Sequence, residues 1–138
     1  MIRPRHILTA GLFAAIVAGG LFACKPEATE QAKKSEAWLT KFYGTHQIRG
    51  GWGFFGAEAH DKNVLVAINV PTQQSLDLKA KDADEQASII RLFACPPSSE
   101  LIWSMLDYEG DVIIQARSGG NVFADIPCRN LNPKGSVQ

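Results

Sequence analysis

Residues 64–71 read VLVAINVP. The run is short, rich in β-branched side chains and closed by Pro71, which has no N–H to give a neighbouring strand. Those features predict a strand that ends at the proline. The unbroken apolar stretch Val64 to Ala67 predicts cover on both faces, or nearly so. Just upstream, HQIRGGWGFFGAEAH (46–60) is aromatic and glycine-rich. Its core predicts a second strand over about Gly51 to Ala59, bulged at a glycine. The intervening DKN (61–63) is a turn, so the two strands form a hairpin.

Working outward, Ala28, Ala32, Ser35, Leu39 and Phe42 recur at steps of three and four. This spacing predicts a helix from about Glu27 to Tyr43 with one face turned to the sheet. Trp38 flanks the stripe, Glu30 and Lys34 are placed to pair on the wet side, and Gly44 is a stop signal. Downstream, the polar residues 72–81 read as a loop. Asp82-Ala83-Asp84-Glu85 has the form of a capping box. Ala83, Ala87, Ile90 and Ala94 then share a helical face, with Phe93 beside them, and Pro96-Pro97 forbids extension past Cys95. SSELIWSML (98–106) predicts a short helical segment with Leu101, Ile102, Met105 and Leu106 inward. DVIIQAR (111–117) and VFADIPC (122–128) are strands about the tight turn SGGN (118–121).

The predicted order is helix, hairpin, helix, hairpin. The fold class it implies is α+β, with helices packed on one face of a mainly antiparallel four-stranded sheet. The folded unit should span 31–130 as a single domain, with a loose tail over 131–138.

The amino terminus belongs to a different kind of sequence. MIRPRH (1–6) carries Arg3 and Arg5, and ILTAGLFAAIVAGGLFA (7–23) has no charge, which is the pattern of an export signal. The run ends in Leu21-Phe22-Ala23-Cys24, which resembles the lipobox of bacterial lipoproteins. The resemblance covers about the first two dozen residues and implies nothing about the domain behind them. It implies cleavage before Cys24, a diacylglyceryl thioether on its sulfur and an acylated amine. Residues 1–23 would then be a signal peptide, and 24–30 the acylated cysteine with its tether. Phe22 departs from the commoner choice at its position. Lys25 stands where an inner-membrane retention Asp is familiar, so the resemblance leans towards the outer membrane, facing the periplasm. Two other outcomes stay open: cleavage after Gly20 at a small-x-small site, or retention as an uncleaved anchor.

The chain has three cysteines, Cys24, Cys95 and Cys128. If Cys24 is acylated, the remaining two can pair in an oxidising compartment. Redox or metal chemistry at that pair is the alternative, but neither Cys-x-x-Cys nor a nearby histidine accompanies it.

Composition and motifs restrict the chemistry. Fourteen basic and fourteen acidic residues leave no formal net charge, which argues against a nucleic-acid partner. His60-Asp61 is the most tempting catalytic pair and His46 the other histidine of the mature chain, but no metal-ligand spacing accompanies them. There is no G-x-S-x-G, and RGGWGFFG (49–56) lacks the Gly-Lys-Ser/Thr end of a phosphate loop. No cofactor or metal is expected.

The aromatics Trp52, Phe54 and Phe55 support two readings. They could form an exposed contact patch, with Trp52 as an interface anchor whose loss weakens partner capture without much loss of stability. Or alternation could send Trp52 and Phe54 into the core and leave Phe55 outside. The expected function is that of a membrane-anchored envelope lipoprotein, acting as a protein-binding accessory or adaptor of an envelope or secretion assembly. Segment 52–55 and an open sheet edge are its candidate contacts. A periplasmic small-ligand carrier or enzyme is the alternative, and would need a concave pocket including His46 or His60. An inhibitor of a cell-wall hydrolase is a third.

Overall fold

The computed structural model describes residues 27–106 and 108–129. Residues 1–23, expected as a signal peptide, Cys24 and the tail expected over 131–138 lie outside those residues. The chain runs through α1 (Glu30–Thr45), a 3₁₀ turn (Arg49–Gly51), β1 (Gly53–His60), β2 (Asn63–Asn69), α2 (Thr72–Lys79), α3 (Ala83–Ala94), α4 (Ile102–Met105), β3 (Val112–Ser118) and β4 (Asn121–Pro127). The fold class is α+β.

The sheet has four strands in the order β1-β2-β3-β4. Both hairpins are antiparallel, and the central pair β2–β3 is parallel. The chain must therefore return to the starting end of β2 before β3 begins, and the helices α2, α3 and α4 lie on that crossover.

Val64, Val66 and Ile68 of β2 and Val112, Ile114 and Ala116 of β3 are fully buried. They cluster with Leu39 and Tyr43 of α1, Leu78 of α2, Ile90 and Ala94 of α3 and Ile102 of α4. Side chains alternate along a strand, so Leu65, Ile113, Gln115 and Arg117 point to the opposite face, where they are half-buried. Ala67, also on that face, is small enough to be nearly covered by its neighbours.

α1 starts later than its apolar spacing suggests, because Thr29 is the N-cap and its hydroxyl accepts from Ala32 N at 3.1 Å. Its buried stripe is Ala32, Ser35, Leu39 and Tyr43, so Tyr43 takes the place expected of Phe42. Gly44 does not stop it. The helix runs on to Thr45 and ends at His46, whose backbone is extended. Glu30 pairs with Lys33, not Lys34.

The segment expected as a loop over 72–81 is largely helix α2, a correction with a physical reason. Its sequence TQQSLDLK buries only Ser75 and Leu78, too narrow a stripe to read as periodic. The burial of Ser75 works because its hydroxyl donates to Thr72 O at 2.8 Å and accepts from the Ser118 hydroxyl at 2.9 Å. α3 begins as its capping residues predict, with Asp82 Oδ1 accepting from Glu85 N at 2.8 Å, and ends at Cys95. Only four residues of the segment 98–106 are helical, and Leu101, expected inside, is exposed.

Cys95 and Cys128 form a disulfide that closes a loop of sequence separation 33. It joins the end of α3 to the residue after β4. By the chain-entropy model a loop of this length stabilises by about 3–4 kcal/mol.

Candidate functional site

The stretch 50–56 is shaped by glycine at its start. Gly50 has φ +79°, and a Cβ there would meet Phe93 Cε2 at 3.0 Å and Gln74 Oε1 at 3.1 Å. This left-handed, crowded turn brings the chain into β1 with Trp52 pointing inward. Trp52 is 5% exposed, its ring lies 4.9 Å from that of Phe93, and its N–H is bonded to Gln74. Phe54 is half-buried and stacks on Tyr43 at 5.2 Å. The register of β1 against β2 shifts between Phe54 and Gly56, so Phe55 is the extra residue of a bulge. It is 73% exposed.

Of the three aromatics, then, Phe55 is the exposed one, Phe54 is half-buried and Trp52 is buried. Trp52 is a core residue, which corrects the expectation that its loss would spare stability.

Phe55 lines a groove of about 260 Å³ on the face of the sheet opposite Val64, Val66 and Ile68. Its lining includes Gly56 and Glu58 of β1, Leu65 and Ala67 of β2, and Gln115 and Arg117 of β3, with the small Gly56 and Ala67 paired across the first two strands. The Arg117 guanidinium carbon lies 5.4 Å from the centre of the Phe55 ring. Its Nη2 is 3.5 Å from Gln115 Oε1, and its Nε is buried without a hydrogen-bond partner.

A second recess of about 840 Å³ lies at the junction of α1 and β1, between Tyr43 and Phe54, and includes His46. The His46 ring is engaged: it stacks on Phe42 at 4.4 Å, and its Nδ1 is 3.0 Å from both Phe42 O and Thr45 Oγ1. The deeper Tyr43 hydroxyl donates to Ala94 O, and burial raises its pKa far above the usual phenol value. It is a buried structural donor, unsuited to acid–base work near neutrality. His60 sits exposed at the far end of β1, away from His46. The two histidines are not brought together.

Among the described residues no group of three or more His, Cys, Asp or Glu could hold a metal, and no helix is long and apolar enough to cross a membrane. The sheet edges are each blunted at one point. On β1, Ala59 N donates to Glu36 Oε2 at 2.7 Å; on β4, Pro127 O accepts from Arg91 Nε at 2.9 Å. Strand addition at either edge would have to displace a side chain.

The groove was not legible in the sequence beyond the exposed member of the aromatic triplet. Arg117 gave no signal of its own, because its place beside Phe55 depends on a parallel β2–β3 pairing and on the bulge. Compared with known proteins, the chain matches no family model, no curated protein and no solved structure.

Proposed function

We propose that the protein is a lipid-anchored lipoprotein of the bacterial cell envelope, held through Cys24, whose folded domain binds another envelope protein as an accessory or adaptor. The observation that carries the reading is the pairing of Cys95 with Cys128. It leaves Cys24 as the third cysteine, at the end of the lipobox-like LFAC, and so accounts for an odd count. The disulfide also fits an oxidising compartment outside the cytoplasm.

The anchor would orient the domain. From Cys24 to Thr29 the chain reaches at most about 18 Å. Thr29 N donates to Asp61 O at 2.9 Å, so the β1–β2 turn is the end of the sheet nearest the lipid. The 118–121 turn and the His46 recess lie at the other end. Phe55 on the open face is the contact that the binding role uses.

Labelled palmitate fed to cells tests the anchor. Label on the wild type, with loss of label and build-up of precursor in Cys24→Ser, supports it. Label-free protein cleaved after Gly20 would sink it.

The alternative of a small-ligand carrier or enzyme is favoured by the recess that includes His46. It ranks second because the one ring nitrogen that packs against protein groups is already held as a helix C-cap.

A further inference from the structure

We infer that Arg117 and Phe55 form a subsite for a carboxylate side chain of the partner, with an apolar neighbour of that carboxylate resting on Phe55. The inference rests on the binding role proposed above and names the chemistry its partner must present. Arg117 is half-buried, and the ion pairs among the described residues, Glu30–Lys33 and Lys81–Glu85, do not include it. Its Nε is buried without an acceptor, and among the described residues the side-chain hydrogen bond of its guanidinium goes to a neutral glutamine oxygen at the limit of hydrogen-bond distance. A guanidinium that has lost part of its hydration, with no carboxylate in ion-pair contact among the described residues, gains more than an exposed one when an anion arrives.

The surroundings select among anions. The Phe55 ring lies beside the guanidinium, and the fork of terminal nitrogens suits a planar, two-oxygen group. Glu58 lines the same groove and is exposed, so it repels a second negative charge. A carboxylate, with a single charge, suits the site better than a phosphate. The 73% exposure of Phe55 offers the adjoining apolar surface, and the small residues Gly56 and Ala67 in the lining leave room for an incoming side chain.

The test titrates the full chain, held in detergent, with acetyl-Phe-Glu-amide, acetyl-Phe-Gln-amide and acetate, reading the NMR signals of Arg117 Nε–H and the Phe55 ring. The glutamate peptide should shift both signals saturably in the millimolar range. The glutamine peptide should move neither, and acetate should bind more weakly. Arg117→Lys should weaken the peptide about tenfold with its melting curve intact, because a lysine keeps the charge but loses the fork. Phe55→Ala, a surface change that leaves the core alone, should weaken the peptide and leave acetate unaffected. Equal shifts from glutamate and glutamine peptides, equal affinity for acetate and peptide, or no shift at Arg117 would each overturn the inference. If the peptide fails while Phe55 still captures a partner in cells, only the carboxylate assignment falls; if Phe55 captures nothing, the binding role falls with it.

Discussion

Gln74 Oε1 accepts the indole N–H of Trp52 at 2.7 Å, and Gln74 Nε2 donates to Gly50 O at 2.9 Å. One side chain of α2 thus holds both the turn into β1 and the aromatic that anchors it. Gln74→Leu removes the acceptor and leaves a largely buried N–H without a partner. We expect a loss of about 1–3 kcal/mol, read by urea unfolding. An unchanged midpoint would mean that water replaces the glutamine.

Trp52 and Phe55 lie three residues apart and should behave oppositely. Trp52 is 5% exposed, and Trp52→Ala should cost about 3–5 kcal/mol. Phe55 is 73% exposed, and Phe55→Ala should stay within about 0.5 kcal/mol of the wild type. Urea curves of the two variants check this directly. Equal effects would contradict the bulge that turns one ring in and the other out.

The strands were legible because VLVAINV and DVIIQAR are short, β-branched apolar runs bounded by turn signals; the expected cover on both faces is incomplete, since Leu65 and Ile113 are only half-buried. The disulfide followed from counting cysteines once Cys24 was set aside. Helix α2 was missed because its buried positions are one serine and one leucine, and because Pro71 reads as the end of a strand when it is also the residue before a helix. The parallel pairing of β2 with β3 is not encoded in either strand. Both present similar β-branched apolar runs to a neighbour running in either direction, and only the path of the chain between them decides. The Phe55–Arg117 groove inherits that dependence, so its two sides could not be joined from sequence.

Gly110 is buried where a loop passes between two others. A Cβ there would meet Leu106 O and Lys62 O, each at 2.6 Å. Both are backbone atoms, which cannot swing aside as a side-chain tip can. Gly110→Ala should cost on the order of 1–3 kcal/mol in thermal or urea unfolding. A neutral result would show that the 108–111 segment shifts freely.

Asp111 Oδ1 accepts from Val112 N at 2.7 Å and from Arg129 N at 3.0 Å. Burial raises its pKa above the usual carboxylate value, outweighing the two N–H groups and the nearby charges of Arg129 and Arg91. A raised folded-state pKa means that the folded state holds the proton more tightly than the unfolded chain. Its stabilising contribution is complete below the unfolded-state pKa and is lost as pH rises through the folded one. Asp111→Asn cannot ionise and keeps an oxygen for the same N–H groups. The variant should therefore gain stability relative to wild type as pH rises from about 3 to about 6. A stability difference that stays flat over this range would contradict the assignment.

The most direct test of a lipid-anchored domain that binds through its open face is photo-cross-linking in intact cells. A benzophenone amino acid replaces Phe55 in the full chain with Cys24 intact. Leu92 on α3, 66% exposed and outside the groove, is the control position. The account predicts one dominant adduct from position 55, absent from position 92 and lost when Cys24→Ser frees the protein from the membrane. No adduct at 55, or the same adducts from both positions, would contradict it.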